Sequence, residues 1–258
     1  MPLPHGYNDV LHSRHDRLAV EAAWHFFADH DCEHRVLPDG RCDIILRFQS
    51  DGIKPLGVIT PLVTGAATGF HIVRIATGTG YVGVRLRPGT GSVVLGIDLE
   101  TIVNRGIVGD EVLKILPNLR EICDPAPSIE TLRDRLVSFT EQRAANAKID
   151  PLTADALNMI HLSGGRLPVA DIAKLCGVDV RTVRRRITRA TGLSPKQMAM
   201  VVQFQRALRL RFRERLDAAS TAFEAGYADQ AHLSRTFRQM GGISPARLPD
   251  LVLAGLPI

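Results

Sequence analysis

The last hundred or so residues hold one pattern written twice. Gly177-Val178-Asp179 opens a run containing Val183, Arg185 and Ile187, and leads to Gly192-Leu193-Ser194-Pro195. Gly226-Tyr227-Ala228-Asp229 opens a second run containing Leu233, Arg235 and Phe237, and leads to Gly242-Ile243-Ser244-Pro245. From Val183 and Leu233 onward the copies are offset by 50 residues. Each copy reads as a helix, a glycine turn and a basic helix. A repeat of this kind cannot be a sheet, and two such units side by side suit a double reader of duplex DNA.

Local chemistry supports that reading. Gly177 and Gly226 supply the left-handed turn that branched residues resist. Asp179 and Asp229 cap the helices that follow. Val183, Ile187, Leu233 and Phe237 recur at helical spacing and face inward, as do Ile172, Ala173, Cys176 and Ala222 on the preceding helices. Arg181, Thr182, Arg184, Arg185 and Arg189 then point outward in the first unit. Gln230, Ala231, His232, Ser234 and Arg235 do so in the second. Arginine can grip guanine, and Gln230 adenine, with two hydrogen bonds, each pair worth about 1–3 kcal/mol of discrimination. Arg189, Lys196, Ser194 and Ser244 suit phosphate contacts, which position but do not read. A helix over about 195–216, basic on one side, would hold the readers at a fixed separation.

Charge divides the same way. Residues 1–148 carry 16 Lys/Arg against 18 Asp/Glu, and residues 149–258 carry 16 against 9. The whole basic excess therefore lies with the repeat, as a phosphate-binding module requires. The length allows two cored domains. No apolar run reaches membrane-spanning length, which predicts no membrane partner. The polar start lacks a signal core, and four irregularly spaced cysteines make no disulfide framework. Both point to the cytoplasm.

The first half is expected to be a small β-rich α+β domain over 1–125, with strands at Arg41–Phe48, Leu56–Thr60, His71–Ala76 and Tyr81–Leu86. An opening helix near Leu18–Ala28 and short helices near Leu99–Asn104 and Asp110–Leu116 complete it. Turn signals include Asp51-Gly52 and the break Asp124–Ser128. A linker helix over 126–149 carries Ile129, Leu132, Leu136 and Phe139. This stripe is either a homodimer seam or a face packed on its own domain. The DNA-binding domain follows over 150–258, an all-α double helix-turn-helix with units at about 169–191 and 217–241.

The motif Gly226-Tyr227-Ala228-Asp229-Gln230-Ala231-His232-Leu233-Ser234-Arg235-Thr236-Phe237, closed by Gly242-Ile243-Ser244-Pro245, resembles the signature of the AraC/XylS family of bacterial transcription regulators. The resemblance spans about 150–250. It implies a seven-helix module that sets two recognition helices into successive major-groove segments. It also implies base or backbone contact by Arg181, Arg184, Arg185, Gln230, Ala231, His232 and Arg235. Thr221 departs from the family's aliphatic residue. The stretches Val36–Ile45 and Gly83–Gly89 look like a sensor domain of one branch of that family, implying ligand sensing, dimerisation or both.

In that domain Arg41, Arg74, Arg85 and Arg87 are candidates for an anionic effector, with Arg85 and Arg87 on one strand face. The competing reading pairs them with Asp39 or Asp43. Trp24 reads as a core anchor. His25, His30, Cys32, His34 and Cys42 cluster without the spacing of a usual zinc site, so no metal or other cofactor is expected. No Pro-Cys-His motif supports a methyl-accepting cysteine, and the chain is expected not to be an enzyme. The sequence thus predicts a cytoplasmic, DNA-binding activator or repressor. Its partners would be an operator duplex, a small-molecule effector, RNA polymerase and a second protomer. An architectural DNA-binding protein is the alternative.

Overall fold

The structure, a computed structural model, describes residues 7–12, 18–50, 57–123, 128–145, 150–246 and 252–254. The N-terminal half begins with β1 (Tyr7–His12), β2 (Val20–Phe27), β3 (Cys32–Val36) and β4 (Asp43–Gln49). It continues with β5 (Thr60–Thr64), β6 (His71–Ile75) and β7 (Thr79–Leu86). After α1 (Gly91–Leu95) come a 3₁₀ turn (Leu99–Ile102), β8 (Gly106–Val108), α2 (Asp110–Ile115), α3 (Leu119–Cys123) and α4 (Ile129–Ala145). The helical half holds α5 (Pro151–Leu162), α6 (Val169–Leu175), α7 (Val180–Thr191), α8 (Pro195–Leu208), α9 (Ala218–Ala225) and α10 (Gln230–Thr236). β9 (Val252–Ala254) follows.

One sheet runs β1-β2-β7-β4-β5-β8 and a second runs β6-β3-β9. The helix expected near Leu18–Ala28 is instead β2. Its alanines and glutamate suit a helix locally, but the segment pairs antiparallel with β7, from Val20 opposite Leu86 to Phe27 opposite Gly80. Non-local pairing overrides propensity here. Gly83 makes that pairing fit: a Cβ there would lie 2.4 Å from the Trp24 indole. The strand expected at Leu56–Thr60 lies further on, at Thr60–Thr64, where Pro61 to Val63 face β4. The Asp51-Gly52 turn, the Asp124–Pro127 break and the end of the linker helix beyond Ala145 lie outside the described residues.

The stripe on α4 packs within its own domain, which corrects the dimer-seam reading of Ile129, Leu132, Leu136 and Phe139. Leu132 and Leu136 are each 0% exposed in a core shared with Ile44, Val84 and Leu95, and Ile129 and Phe139 pack at its margin. Glu141 fixes the register of the helix on β2 by accepting the Leu18 and Val20 amides, each at 2.8 Å. The stripe is short because it covers one face of a small sheet.

The helical half builds a second core around Phe204, Phe237, Val183, Ile187, Leu193 and Leu233. The connector expected to be one helix to Leu216 is α only to Leu208, followed by a π-helical turn over Arg209–Arg213. α10 ends in another, over Phe237–Gly241. The two cores touch through the segment between β3 and β4. Leu37 belongs to the helical core, and the Gln205 amide of α8 donates to the Pro38 carbonyl at 2.7 Å in a buried position.

Leu136→Ala should lower stability by about 2–5 kcal/mol, the cost of an unfilled core site, while leaving the oligomeric state of the parent unchanged. Denaturant unfolding with light scattering checks both. A changed oligomeric state without lost stability would return the stripe to a seam.

Candidate functional site

The two repeat units are built as their sequences require. In the first, α6 buries Ile172 and Ala173, and Gly177 turns the chain at φ +66°. The Asp179 carboxylate then accepts from the Thr182 amide at 2.8 Å and from its hydroxyl at 2.9 Å. Those hydrogen bonds hold the Asp179 carboxyl below the usual range. In the second, Asp217 caps α9 through the Ser220 amide, Gly226 turns at φ +79°, and Asp229 accepts from the His232 amide at 2.6 Å. Each cap satisfies an amide that the first helical turn leaves unpaired. Thr221, the departure from the family pattern, is 0% exposed, and its hydroxyl donates to the Asp217 carbonyl at 2.7 Å. The buried polar group is thereby satisfied inside its own helix.

Burying Val183 and Ile187 on α7 turns the opposite face outward. Arg181, Arg184, Arg185 and Arg189 are exposed and Thr182 is half-buried. Burying Leu233 on α10 does the same for Gln230, Ala231, His232 and Arg235, with Ser234 half-buried. The His232 ring meets Tyr227 edge-on at 5.1 Å, which orients it at the start of α10. Arg186 is half-buried and pairs with Asp150.

The phosphate candidates divide. Lys196 and Ser244 are exposed. Ser194 instead closes a capping box on α8: its hydroxyl donates to the Gln197 side chain at 2.7 Å and accepts from the Gln197 amide at 3.3 Å. Of the connector arginines, Arg209 pairs with Glu214 at 3.2 Å and Arg211 donates to the Pro245 and Leu216 carbonyls. Arg213 and Arg215 remain exposed.

The surroundings of α7 and α10 do not follow from the local sequence. The arginine face of α7 lines a groove of about 1250 Å³ whose other wall is α1 and the 3₁₀ turn, including Asp98 and Glu100. The N-terminal domain meets the last turn of α7 closely: at Gly192, φ +77°, a Cβ would lie 2.7 Å from the Leu99 carbonyl oxygen. The turn after α10 is held by Arg35, which donates to the Gly241 and Gly242 carbonyls at 3.2 and 3.1 Å. Both Gly-x-Ser-Pro turns are therefore gripped by the first half of the chain. Nothing local in the sequence signals such contacts between segments so far apart.

Inside the N-terminal domain, between the two sheets, lies a cavity of about 330 Å³. Trp24, Phe26 and Tyr81 form apolar walls, and Asp39, Asp43 and Arg85 lie at its polar end. Arg41 and Arg74 also line it, whereas Arg87 does not. That corrects the expected pairing of Arg85 with Arg87 on one strand face. β7 stops at Leu86, and Arg87 starts the turn to Thr90, accepting the Thr90 amide at 3.1 Å. Arg85 lies 3.3 Å from Asp39 and 3.5 Å from Asp43. Arg41 binds Glu21 through two hydrogen bonds, each of 2.8 Å. Arg74 is 89% exposed and reaches Glu33 at 3.5 Å.

Burial sets the ionisation here. It pushes Asp43 up, against the pull of Arg85. It also works to raise Glu21, but the hydrogen bonds and charge of Arg41 outweigh it and hold Glu21 down. His34 is pushed down to about 4 by burial, so it is neutral at neutral pH. His25, expected on the opening helix, is on β2, and Cys32 is on β3, 3.7 Å from His34. Burial pushes the Cys42 thiol up to about 12, the opposite of what a nucleophilic cysteine needs. Among the described residues no three His, Cys, Asp or Glu side chains gather as a metal site.

Two families match the chain. Residues 165–249 match a helix-turn-helix domain and residues 17–108 match a domain of unknown function, DUF6597. No protein of curated function matches. Among solved structures, the chain is similar to the C-terminal domain of AraT, a response regulator from Geobacillus stearothermophilus. That match has 22% identity and a TM-score of 0.36, and covers 39% of this chain and 84% of that one. It is also similar to ToxT from Vibrio cholerae O395, with 10% identity and a TM-score of 0.42, covering 87% of this chain and 94% of that one. Another ToxT structure, with unsaturated fatty acid bound, is 11% identical with a TM-score of 0.42, covering 95% of each chain. No helix among the described residues is long and apolar enough to cross a membrane.

Asp229→Ala should cost about 1 kcal/mol of stability, the usual effect of losing a helix N-cap. Chemical denaturation against the parent chain measures it, and an unchanged midpoint would mean the Asp229 carboxylate is not holding α10.

Proposed function

We propose that this chain, a DNA-binding transcription regulator with an AraC-type helix-turn-helix domain, reads its operator with α7 and α10 under the control of its N-terminal domain. One observation carries the reading: two capped helices, each anchored by buried apolar residues, present exposed arginines in equivalent places. On α7 the candidates are Arg181, Thr182, Arg184, Arg185 and Arg189. On α10 they are Gln230, Ala231, His232, Ser234 and Arg235. Arg185 and Arg235 take the central positions, while Lys196 and Ser244 suit phosphates.

The N-terminal domain acts in this proposal as a small-molecule sensor. Its cavity supports the reading, because one segment belongs to both halves. Asp39 lines the cavity and Leu37 lies in the helical core. Gly40 sits against Met198 of α8, 3.0 Å from its sulfur to a Cβ built there. A ligand that moves Asp39 therefore strains the seat of α8, the element joining the two readers. The groove beside α7 gives such movement a consequence. Its acidic wall, Asp98 and Glu100, faces the arginines that a duplex would need. As described, the first reader is flanked by protein, and full engagement of both units requires the halves to shift. This is regulation by a bistable interface.

Arg185→Ala and Arg235→Ala should each weaken operator binding by about 1–3 kcal/mol, measured by titration at one fixed salt concentration. Wild-type affinity should fall steeply as salt rises, because arginine–phosphate contacts release counterions. Unchanged affinity in both variants would remove these contacts from the reading face. Equal affinity for the operator and for random duplex would favour the architectural alternative.

A further inference from the structure

The sensor cavity has a polarity that its arginines disguise. Four guanidinium groups line it, those of Arg41, Arg47, Arg74 and Arg85. Arg47 and Arg74 are exposed, so water screens them. The Arg41 guanidinium is matched by Glu21 in a two-bond pair. That leaves Arg85 between two carboxylates, at 3.3 Å from Asp39 and 3.5 Å from Asp43. One half-buried cation serves two acids. The side chains of Asp39, Asp43 and Arg85 are each four-fifths or more shielded from solvent. Charges are costly in such a place unless matched.

The histidines do not supply the missing charge. Burial holds both His34 and His71 below the ordinary imidazole range. Burial also pushes Asp43 up; Arg85 opposes it, and the neighbouring Asp39 carboxylate adds to it. Further along the same sheet the lining is aromatic. Phe26 stands 6.5 Å from Tyr81, centroid to centroid, and Trp24 completes that side. Aromatic faces attract cations and repel anions. The volume of about 330 Å³ is at the small end of the range for small-molecule sites.

We propose that this cavity binds a small organic cation, a protonated amine on an apolar body, with the ammonium at Asp39 and Asp43 and the body against Trp24, Phe26 and Tyr81. The proposal rests on the reading of the N-terminal domain as a sensor, and it reverses the anionic ligand that the sequence suggests. An ammonium between the two acids restores one cation to each carboxylate. An anion there would have to break the Arg85 pairs and leave Asp39 and Asp43 buried against it. Asp39 also belongs to the segment that seats α8, so the recognition contact lies next in the chain to Pro38, whose carbonyl takes the Gln205 amide.

Trp24 is the chain's one tryptophan and lines the cavity, so its fluorescence reports occupancy. Three probes share a phenyl body and differ in the head: phenethylamine, hydrocinnamate and phenethyl alcohol. Each is added in equal excess to the full chain at neutral pH, and Trp24 emission and the unfolding temperature are followed. Phenethylamine should change both, and bind at least tenfold more tightly than either of the others. Asp39→Asn and Asp43→Asn should each weaken it about tenfold or more, the loss of one charge-assisted contact. The comparison of probes on the unaltered chain stands even if a variant fails to fold. Hydrocinnamate binding as well as or better than the amine would overturn the cation while leaving the sensor reading intact. Silence with all three probes would count against the cavity as a ligand site, and against the sensor reading with it.

Discussion

Five residues between β3 and β4 hold the two halves of this molecule in one arrangement. Leu37 is buried among the helices, the Pro38 carbonyl takes the Gln205 amide, and Gly40 leaves room for Met198. Asp39 and Arg41 turn the other way. The Arg41 amide donates to the Asp39 carboxylate at 2.9 Å, and its guanidinium to the Asp39 carbonyl at 2.7 Å. The segment is therefore stiff in itself and fixed in two cores at once. Close-packed interiors do not deform gradually, so a displacement on one side is either resisted or passed across whole.

That constraint explains why two nearly identical units have different surroundings. Each ends in Gly-x-Ser-Pro, and in each the turn supplies more than a helix stop. Gly192 lets the Leu99 carbonyl approach where a side chain would collide, and the carbonyls of Gly241 and Gly242 receive Arg35. Arg35 also lies over the Phe70 ring at 4.6 Å, so its charge is held on an aromatic platform. The first unit ends against α1 and the 3₁₀ turn, whereas the second ends against β3 and its neighbours. A repeat that duplicates sequence has thus been differentiated by what the rest of the chain places beside it.

The helical half was legible because its determinants are local. Caps at Asp179 and Asp229, left-handed glycines at 177 and 226, and inward pairs four residues apart are written within a few positions of where they act. The first half was legible only in part. β4 and β7 alternate clearly, but β2 is composed like a helix and becomes a strand through β7, some sixty residues away. The Ile129–Phe139 stripe showed that a helix face needed a partner without showing which. The structure gives its own sheet. The cavity residues were visible as charged types, yet their balance was not, since Glu21 had to meet Arg41 and Asp39 had to meet Arg85 across the fold. Charge matching is a property of contacts, and single residues in a row do not display it.

The same ion network reaches past the cavity. His161 of α5 lies within electrostatic range of the Glu21–Arg41 pair; burial, and then Arg41, hold its imidazole below the ordinary range, and its Nδ1 lies 2.8 Å from the Leu157 carbonyl oxygen. Leu157 in turn fills the space beside Gly89, at the end of the sheet. A charge change at Asp39 is thus felt by Arg85 and Arg41, and through Arg41 by His161, a half-buried side chain of the DNA-binding half. A ligand can shift a conformational equilibrium only by its difference in affinity for the two states. In this molecule Leu37 and Asp39 both line the cavity and belong to the segment that joins the two halves.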